Sequence, residues 1–464
     1  MKKDFAAGTI RIALWLAAAA CLVLQFWVPP FIGLADNADF GKVAGHLALA
    51  PVDLGASNFI YFQPNYLHTV HNYWDSPYES SETFLAWTAL QISGAKGEGA
   101  RFDIRYLGVV HAALWLAALA LLLRQRRIAG VVAAILIFTD VCYASYLNTF
   151  YMDAAAMSGF LILCASACWI AAVEEPSPGQ IAACLPGALI YVTSKTQHAL
   201  WFLLPVIFLA GTGLRCKRGL TRRLALGSAV LVFAAGGYML ATADPTNRAQ
   251  ALFNKLFFQI GMAPGGAASL RELGVREDEL RYIGTHSYAP GTPAGDQTWA
   301  QNFYAHTGYP RLAAWYLRHP GRAIGLLWST LSRDAQELRQ NNLSNLRRQE
   351  ASGTSEQTHR FEVWSNFRSI LLRRWPWHMV LWYVLFLAGT ARIVLSPRSG
   401  PERRLAWVAV GVAVLGLGHF ALAALADCLE TGRHLLLFQA CTDVTICFTV
   451  GYAAARIAAL RNAR

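Results

Sequence analysis

Charged side chains are scarce in this sequence. They make up 15% of its 464 residues, while hydrophobic residues make up 55%. A soluble globular protein carries roughly 25% charged residues, so this composition argues against a chain of two or three soluble domains. The apolar residues instead form runs of roughly 20, which is the length that a helix needs to cross a lipid bilayer.

Two kinds of local signal are also missing. The nine cysteines form no CxxC pair and most lie inside apolar runs, so we expect neither a disulfide framework nor cysteine-based catalysis. The apolar run at 9–29 has no small-x-small cleavage site before a polar segment. We therefore interpret it as a retained first span and not as a signal peptide that is removed.

Basic residues give the chain a net charge of +12, and their positions argue against nucleic acid as a partner. They form short tracts between the apolar runs, at 2–3, 124–127, 215–223, 398–404 and 456–464. This is the positive-inside pattern, in which basic loops stay in the cytoplasm. The chain is therefore predicted to be a multi-pass protein of the bacterial inner (plasma) membrane.

The pattern predicts an all-α polytopic membrane protein with about 10 transmembrane helices. The predicted spans are 9–29, 106–123, 128–146, 154–173, 180–193, 199–214, 223–243, 377–395, 405–425 and 434–455. The run at 180–193 is short and contains Pro186. The orientation of every later basic tract depends on this run crossing the membrane.

The spans divide the chain into three parts. Residues 1–243 form an N-terminal module of about seven spans, which includes a first outer loop at 30–105. Residues 244–376 form a large extracytoplasmic loop, and residues 377–464 form a C-terminal module of about three spans. The sequence therefore places two large polar segments on the outer face.

Each outer loop is predicted to contain an interfacial helix. The first follows Asp39, where apolar residues recur at 40, 43, 44, 47 and 48 with helical spacing. The second covers Arg311–Leu331 and is interrupted at His319-Pro320. Both segments are too short to span, and their amphipathic character is typical of helices that lie along the membrane surface.

The first outer loop begins with two carboxylates, in the segment Asp36-Asn37-Ala38-Asp39. Carboxylates three residues apart share one face of a helix. When they are close together beside an apolar region, each raises the proton affinity of the other, which suits a general base. The alternative interpretation is a pair of ordinary capping residues for the helix that follows.

Three other polar segments, at 148–153, 194–198 and 427–434, lie at the predicted outer ends of helices. Lys195, Arg433 and His434 are cations on the side that positive-inside loops avoid, so we predict that they bind a lipid phosphate, with Gln197 and His198 as further donors. The alternatives are snorkelling at helix ends and a salt-bridged cap.

A divalent metal is a possible cofactor that the sequence leaves undecided. His68 and His71 in the first outer loop are three residues apart, and such a pair can contribute to a metal site. No third ligand is evident beside them. The metal-ligating residues are therefore unknown at this stage.

Taken together, these motifs resemble the GT-C superfamily of integral-membrane glycosyltransferases. The segment Asp36-Asn37-Ala38-Asp39 is similar to the acidic motif in the first outer loop of that superfamily, although the commoner Asp-Glu pair is replaced here. The segments 148–153, 194–197 and Arg433-His434 are similar to secondary features of such enzymes. Within the superfamily, the chain is most similar to the bacterial arabinofuranosyltransferase-like branch and to other cell-envelope branches.

The resemblance implies an inverting transfer of a sugar from a polyprenyl-phosphate donor to a glycan, lipid or protein acceptor. In that reaction Asp36 or Asp39 would take the acceptor proton, and Lys195, Arg433 and His434 would stabilise the leaving phosphate. The residues that would orient these cations or the sugar are Asn37, Asn148, Tyr151, Asp153 and Glu430. An O-antigen-type polymerase or ligase is an alternative. Its activity would be expected to depend on the basic residues at 311–333. A lipid-linked glycan transporter or flippase would instead require charged residues near the bilayer midplane.

Overall fold

The structure is a computed structural model and describes residues 2–53, 59–69, 78–125, 127–336, 338, 344–353, 356–396 and 400–462. Its α-helices are α1 (Lys2–Trp27), α2 (Gly41–Ala44), α3 (Ser81–Ser93), α4 (Arg105–Leu123), α5 (Ile128–Phe138), α6 (Val141–Ala144), α7 (Met152–Ala171), α8 (Pro178–Thr193), α9 (Thr196–Ala199), α10 (Leu203–Arg215), α11 (Gly219–Ala241), α12 (Pro245–Phe253), α13 (Gly266–Glu272), α14 (Gln297–Thr307), α15 (Tyr309–Arg318), α16 (Pro320–Ser332), α17 (Val363–Arg374), α18 (His378–Leu395), α19 (Gly400–Ala426), α20 (Thr431–His434) and α21 (Leu436–Asn462). A π-helix covers Asn254–Ile260.

Seven helices of the described ranges are long and apolar enough to cross a membrane. They are Gly8–Trp27, Arg105–Leu123, Met152–Ala171, Gly219–Ala241, His378–Leu395, Gly400–Ala426 and Leu436–Arg461. An eighth is obtained if Ile128–Phe138 and Val141–Asn148, which are bent by 62° at their junction, form one span. The chain is therefore a multi-pass membrane protein, and its remaining two predicted spans coincide with the shorter apolar helices α8 and α10.

The short helix α8 runs beside α7 over most of its length. Ser177 caps its N-terminus in a capping box with Gln180, and Pro178 occupies the first turn, where a missing backbone N–H costs little. Gln180 donates a hydrogen bond to the carbonyl of Trp169, at the end of α7. Beyond the opposite end of α8, Lys195 lies 3.8 Å from Asp153, in the first turn of α7. Pro186 therefore does not prevent α8 from connecting the two ends of the bundle.

Helix α10 returns through the bundle in the opposite direction. It follows the Lys195 turn and ends at Arg215, whose Nη2 donates to the carbonyl of Ile170 at 3.5 Å. The start of α8 and the end of α10 thus both lie at the C-terminal end of α7, and the turn between them at Lys195 lies at its N-terminal end. The predicted spans at 180–193 and 199–214 therefore each correspond to a helix that runs through the bundle.

The predicted outer loop at 30–105, which we call the first outer segment, contains a small sheet that the all-α prediction did not include. Strands β1 (Leu49–Pro51), β2 (Asn65–His68) and β3 (Arg101–Asp103) are antiparallel in the order β1-β2-β3. Tyr66 and Phe102 pack with Phe150 from the bundle, with ring centroids 5.0 and 6.2 Å from it. Strands this short carry too little periodicity to be recognised in sequence.

The prediction of an interfacial helix after Asp39 is wrong in the length of the helix and in the surroundings of its apolar face. Helix α2 has four residues, continues as a 3-10 turn over Gly45–Leu47, and ends at Ala48 with a left-handed φ of 51°. Its apolar residues, including Val43 and Leu47, are buried in the protein core. The apolar spacing thus reflects contacts with protein and not with lipid.

Helix α3 has the exposed apolar surface that was expected of α2. Phe84, Trp87 and Ile92 are exposed on it. Two buried hydrogen bonds fix its N-terminal turn. His111 Nε2 is bonded to the carboxylate of Glu82 at 3.0 Å, and His111 Nδ1 is bonded to Ser158 Oγ at 3.0 Å. All three side chains are fully buried. This Glu-His-Ser chain therefore joins α3 to α4 and α7 and has no access to a substrate.

The predicted outer loop at 244–376, which we call the second outer segment, has a hydrophobic core of its own. Phe253 and Phe257 pack with Phe303 and Trp315 in a cluster formed by α12, the π-helix, α14 and α15. The predicted amphipathic segment is divided into α15 and α16 at His319, as Pro320 predicts. A hydrogen bond of 2.7 Å between His319 Nε2 and Glu272 Oε2 fixes the break.

Candidate functional site

The acidic loop, which we define as residues 35–39, is held in place by polar side chains at the start of α7. Tyr151 donates its hydroxyl to the carbonyl of Ala35 at 2.8 Å and accepts the backbone N–H of Asn37 at 3.1 Å. Upstream of the loop, Asn148 Nδ2 donates to the carbonyl of Ile32 at 2.7 Å. Asn148 and Tyr151 thus position the backbone that carries the acidic residues.

Backbone conformation also shapes this loop. Ala38 adopts a left-handed φ of 78°, which costs a residue with a Cβ roughly 1–2 kcal/mol. Directly after it, Asp39 N donates to Asn37 Oδ1 at 3.1 Å, and Phe40 N donates to Asp36 Oδ1 at 3.0 Å. The loop therefore directs two carboxylates into different surroundings.

The structure brings four sequence-distant segments together in what we call the charged cluster: Asp39, Lys42, Asp153, Lys195, Glu430 and Arg433. Arg433 is 4% exposed and lies at the centre of the cluster. Its Nη2 is 2.5 Å from Asp39 Oδ2 and 2.7 Å from Glu430 Oε2, and its Nη1 is 3.6 Å from Asp153 Oδ2. Arg433 thus contacts three carboxylates from three separate parts of the chain.

Asp39 is held in its ionised form. Burial raises the pKa of Asp39, but the guanidinium of Arg433 and the ammonium of Lys42 outweigh it and hold the pKa well below its usual range. Lys42 Nζ lies 2.6 Å from Asp39 Oδ1. A carboxylate that is paired with two cations is a weak proton acceptor.

Asp36 has the opposite property, although it is three residues away. Burial above all, and the neighbouring Asp39 as well, raise the pKa of Asp36 from 3.8 to about 7, against the lowering effect of the Phe40 N–H and of Arg433. Its side chain is 2% exposed. Because a general base works best when its pKa lies near the working pH, Asp36 is the better suited of the two carboxylates.

Lys195 has unused hydrogen-bonding capacity. Its Nζ is buried 3.8 Å from Asp153 Oδ2, which is too long for a hydrogen bond, and it has no hydrogen-bond partner among the described residues. Within the same part of the structure, Asp153 Oδ2 and Arg433 Nε also lack partners. Buried polar atoms are almost always satisfied, so three such atoms beside one another indicate a place where a polar ligand binds.

Glu430 joins the last outer turn to the acidic loop. It has a left-handed φ of 52° just before α20, and its carboxylate accepts hydrogen bonds from Arg433 and from Asn37 Nδ2. The ring of Tyr151 lies beneath the same guanidinium, 4.8 Å from Arg433 Cζ. Asn37, Tyr151 and Glu430 therefore all orient Arg433 or the loop beside it.

The two histidines predicted to bind phosphate differ from Lys195 and Arg433. His434 Nδ1 lies 3.6 Å from Asp427, and burial together with Lys195 and Arg433 holds the pKa of His434 well below its usual range. Burial and Lys195 likewise lower the pKa of His198 well below 6.5, and its Nδ1 bonds Ser194 Oγ at 2.9 Å. Both are neutral here, so the cluster's cations are Lys42, Lys195 and Arg433. Gln197 is half-buried on α9, which begins directly after Lys195.

Sequence reasoning did not identify two residues of this site. Lys42 was recognisable in principle, because it follows Asp39 by three residues and forms an ion pair with it. Tyr288 comes from the second outer segment, has an exposed side chain, and lies within electrostatic range of Lys42 and Asp39. Its position depends on how that segment folds, for which the sequence carried no signal.

The structure identifies no metal-ligand set. Among the described residues, no group of three or more His, Cys, Asp or Glu side chains is arranged to hold a metal ion. His68 lies on β2, and its predicted companion His71 lies outside the described residues.

The basic residues at 311–333 take part in the packing of the second outer segment. Arg311 packs against Gly274, and Arg322 Nη2 donates to the carbonyl of Pro264 at 3.0 Å. Both partners belong to the same outer segment. Neither arginine is among the residues that form the charged cluster.

Comparison with known proteins identifies a family for the whole chain. Neither a curated protein nor a solved structure matches it significantly. The family described as the YfdI N-terminal transmembrane domain matches residues 1–464. The chain therefore belongs to the family of the YfdI N-terminal transmembrane domain.

Proposed function

We propose that this protein is an inverting GT-C-type glycosyltransferase that moves a sugar from a polyprenyl-phosphate donor to an acceptor hydroxyl. Membership of the YfdI family supports the general class, because that family is one of GT-C-like membrane glycosyltransferases. One observation supports the chemistry most directly. Asp36, a buried carboxyl with a pKa of about 7, lies in the same loop as Asp39. Asp39 forms an ion pair with Arg433, and the charged cluster contains buried N–H donors that have no hydrogen-bond partner among the described residues.

In this proposal Asp36 is the general base. Its carboxylate takes the proton of the acceptor hydroxyl while the oxygen attacks the anomeric carbon of the donor. The bond from that carbon to the phosphate oxygen breaks, and the lipid phosphate leaves with the electron pair, so the configuration is inverted. Asp39 remains ionised and orients Arg433 and Lys42.

Lys195 and Arg433 are the proposed phosphate-binding groups. Within the charged cluster, the Nζ of Lys195 and the Nε of Arg433 are buried donors that have no hydrogen-bond partner among the described residues. Such donors would stabilise a leaving phosphate, which gains negative charge in the transition state. Asp153 lies between the two cations, 3.6 Å from one and 3.8 Å from the other. Asp153 would keep Lys195 and Arg433 far enough apart for phosphate oxygens to bind between them.

The proposed orientation places this site on the extracytoplasmic side of the bacterial inner membrane. It assumes that α8, α10 and the bent α5–α6 pair cross, which gives ten spans and leaves every basic tract in the cytoplasm. The path of α8 and α10 between the two ends of α7 supports this arrangement. The acceptor would be a glycan, lipid or protein of the cell envelope.

The test compares the lipid-linked and cell-surface glycans of cells that lack the protein with those of cells that express it. Mass spectrometry should show a loss equal to one sugar residue on deletion and its return with the native chain or with Asp278→Asn, a surface control. Asp36→Asn should not restore the mass. Full restoration by both Asp36→Asn and Asp39→Asn would contradict the proposal, as would a glycan profile that deletion leaves unchanged.

A further inference from the structure

An apolar groove lies between α10 and α19. Its volume is about 500 Å³, within the range of about 300–1,000 Å³ that ligand pockets occupy. Leu204, Phe208 and Gly211 line it from α10, and Trp407, Gly411 and Val414 line it from α19. Trp407 is 59% exposed, so the groove opens on the outer surface of the bundle, where lipid surrounds the protein.

The groove ends at two arginines, at the end of the bundle remote from the charged cluster. Arg404 Nε donates to the carbonyl of Ala171 at 2.9 Å, and Arg215 Nη2 donates to that of Ile170 at 3.5 Å. Helix α7 has Asp153 at its other end. A helix of 27 residues such as α19 is about 40 Å long, so the two arginines lie far from Lys195 and Arg433.

Capping of α7 alone does not account for this pair. A helix C-terminus attracts cations. However, each arginine donates only one hydrogen bond to the end of α7, whereas a guanidinium has five N–H donors. Arg215 Nε and Arg404 Nη2 are buried without a hydrogen-bond partner in the described part of the chain. Neither arginine forms an ion pair with a carboxylate of those residues. Glu174 and Glu175 are the nearby acids, and Glu175 accepts the backbone N–H of Lys217.

Two glycines leave the groove open. A Cβ added at Gly211 or at Gly411 would meet nothing within 4 Å. The two residues face the groove from opposite walls. Because glycine lowers helix stability by roughly 1 kcal/mol relative to alanine, their place inside apolar helices is best explained by the space they provide.

We propose that the groove binds an anionic membrane phospholipid, with its phosphodiester group on Arg215 and Arg404 and an acyl chain along α10 and α19. Guanidinium groups bind phosphate oxygens in a fork geometry, which the unpartnered N–H groups allow. The charge of the pair selects an anionic lipid, and the apolar walls accept a hydrocarbon chain. The lipid joins a helix of the N-terminal module to one of the C-terminal module.

This lipid is distinct from the donor proposed above. The phosphate of a donor at Lys195 lies at the opposite end of the bundle from Arg215 and Arg404. The two phosphates therefore belong to opposite membrane leaflets. The phospholipid site does not depend on the glycosyltransferase proposal.

The test is native mass spectrometry of the purified full chain with added phosphatidylglycerol or phosphatidylcholine. We expect one tightly held phosphatidylglycerol, a weakening of at least tenfold in Arg215→Gln/Arg404→Gln, and the same weakening in Gly211→Leu/Gly411→Leu. The matched controls are Arg392→Gln, an exposed arginine on α18, and Gly227→Leu, an open glycine on α11 away from the groove. Both controls should bind like the native chain.

A second measurement covers the case in which the arginine variant does not fold. Phosphatidylglycerol should raise the melting temperature of the native chain and of Gly227→Leu, but not that of Gly211→Leu/Gly411→Leu. Equal binding of phosphatidylcholine, or native binding by the groove variants, would overturn the proposal. Preferential binding of a polyprenyl phosphate over phosphatidylglycerol at these arginines would also overturn it, because the occupant would then be the donor.

Discussion

Arg433 places its Nη2 2.5 Å from Asp39 Oδ2 and thereby joins the turn before the last membrane helix to the loop after the first. The same guanidinium contacts Glu430 and Asp153. With Asp39 ionised in this way, Asp36, whose pKa is about 7, is the carboxyl that takes the proton in the proposed mechanism. This contact therefore decides which of two nearby carboxylates is suited to be the base.

The two carboxylates should respond differently to substitution. Asp36→Asn should lower the transfer rate by about 10²–10⁴, since it removes the base. Asp39→Asn keeps the base but removes a charge that raises the pKa of Asp36, so the rise of activity with pH should move to lower pH. The measurement is the pH profile of transfer from a polyprenyl-phosphate-linked sugar. Unchanged rates in Asp36→Asn would assign the base elsewhere.

The stability of the protein should also depend on Asp36. Its pKa is about 7 in the folded chain and 3.8 in the unfolded one, so the folded state binds the extra proton between these values. Stability from this group should be fully present below about pH 4 and should fall as the pH rises to about 7. Asp36→Asn should remove that part of the slope when melting temperature is followed against pH. Parallel profiles for the two proteins would contradict this.

Lys195 should govern donor affinity. Lys195→Gln removes the buried ammonium that has no hydrogen-bond partner, so we expect the KM for the donor lipid to rise at least tenfold. Lys96→Gln, an exposed lysine of the first outer segment, should leave the KM unchanged. A normal KM in Lys195→Gln would show that the donor phosphate binds elsewhere.

Arg433 should be important for stability as well as for activity. Arg433→Gln leaves Asp39, Glu430 and Asp153 without their common partner, and breaking a buried ion pair in this way costs about 3–5 kcal/mol. The added substitution Asp39→Asn removes one uncompensated charge and should restore part of the lost free energy of unfolding. A double-mutant cycle by chemical denaturation measures this coupling, and simple additivity of the two losses would refute it.

The left-handed backbone at Ala38 should reflect a functional constraint. Ala38→Gly should raise the free energy of unfolding by about 1 kcal/mol, because glycine adopts this conformation without a steric cost. Ala48→Gly is a matched control, with a φ of 51° outside the charged cluster. We expect both variants to gain stability and only Ala38→Gly to lose activity, through a less rigid acidic loop. Equal activities would show that the loop conformation is not used.

The membrane character of the chain follows from its sequence alone. Runs of apolar residues of the length of a bilayer and basic tracts between them are local features that need no knowledge of packing. The seven long apolar helices confirm a multi-pass protein, and the break of the amphipathic segment at His319-Pro320 is confirmed as well. Each of these depends on residues that are neighbours in the chain.

Other features depended on distant contacts and could not be predicted. Helix α2 is short, and its apolar face meets the protein core, so its spacing alone indicated the wrong environment. The position of α3 at the bundle surface, with its apolar face exposed, depends on the buried Glu82–His111 contact. A periodic pattern shows that a face is buried, but it does not distinguish protein from lipid.

The sequence by itself determined that polar residues lie at helix ends, including Asp36, Asp39, Lys195 and Arg433. Only the tertiary structure decided their relationship, because it placed Arg433 against Asp39 and left the Nζ of Lys195 without a hydrogen-bond partner among the described residues. The opposite shifts in the pKa values of Asp36 and Asp39 have the same origin. Burial and the distance to the nearest cation set those shifts, and both are properties of the folded chain.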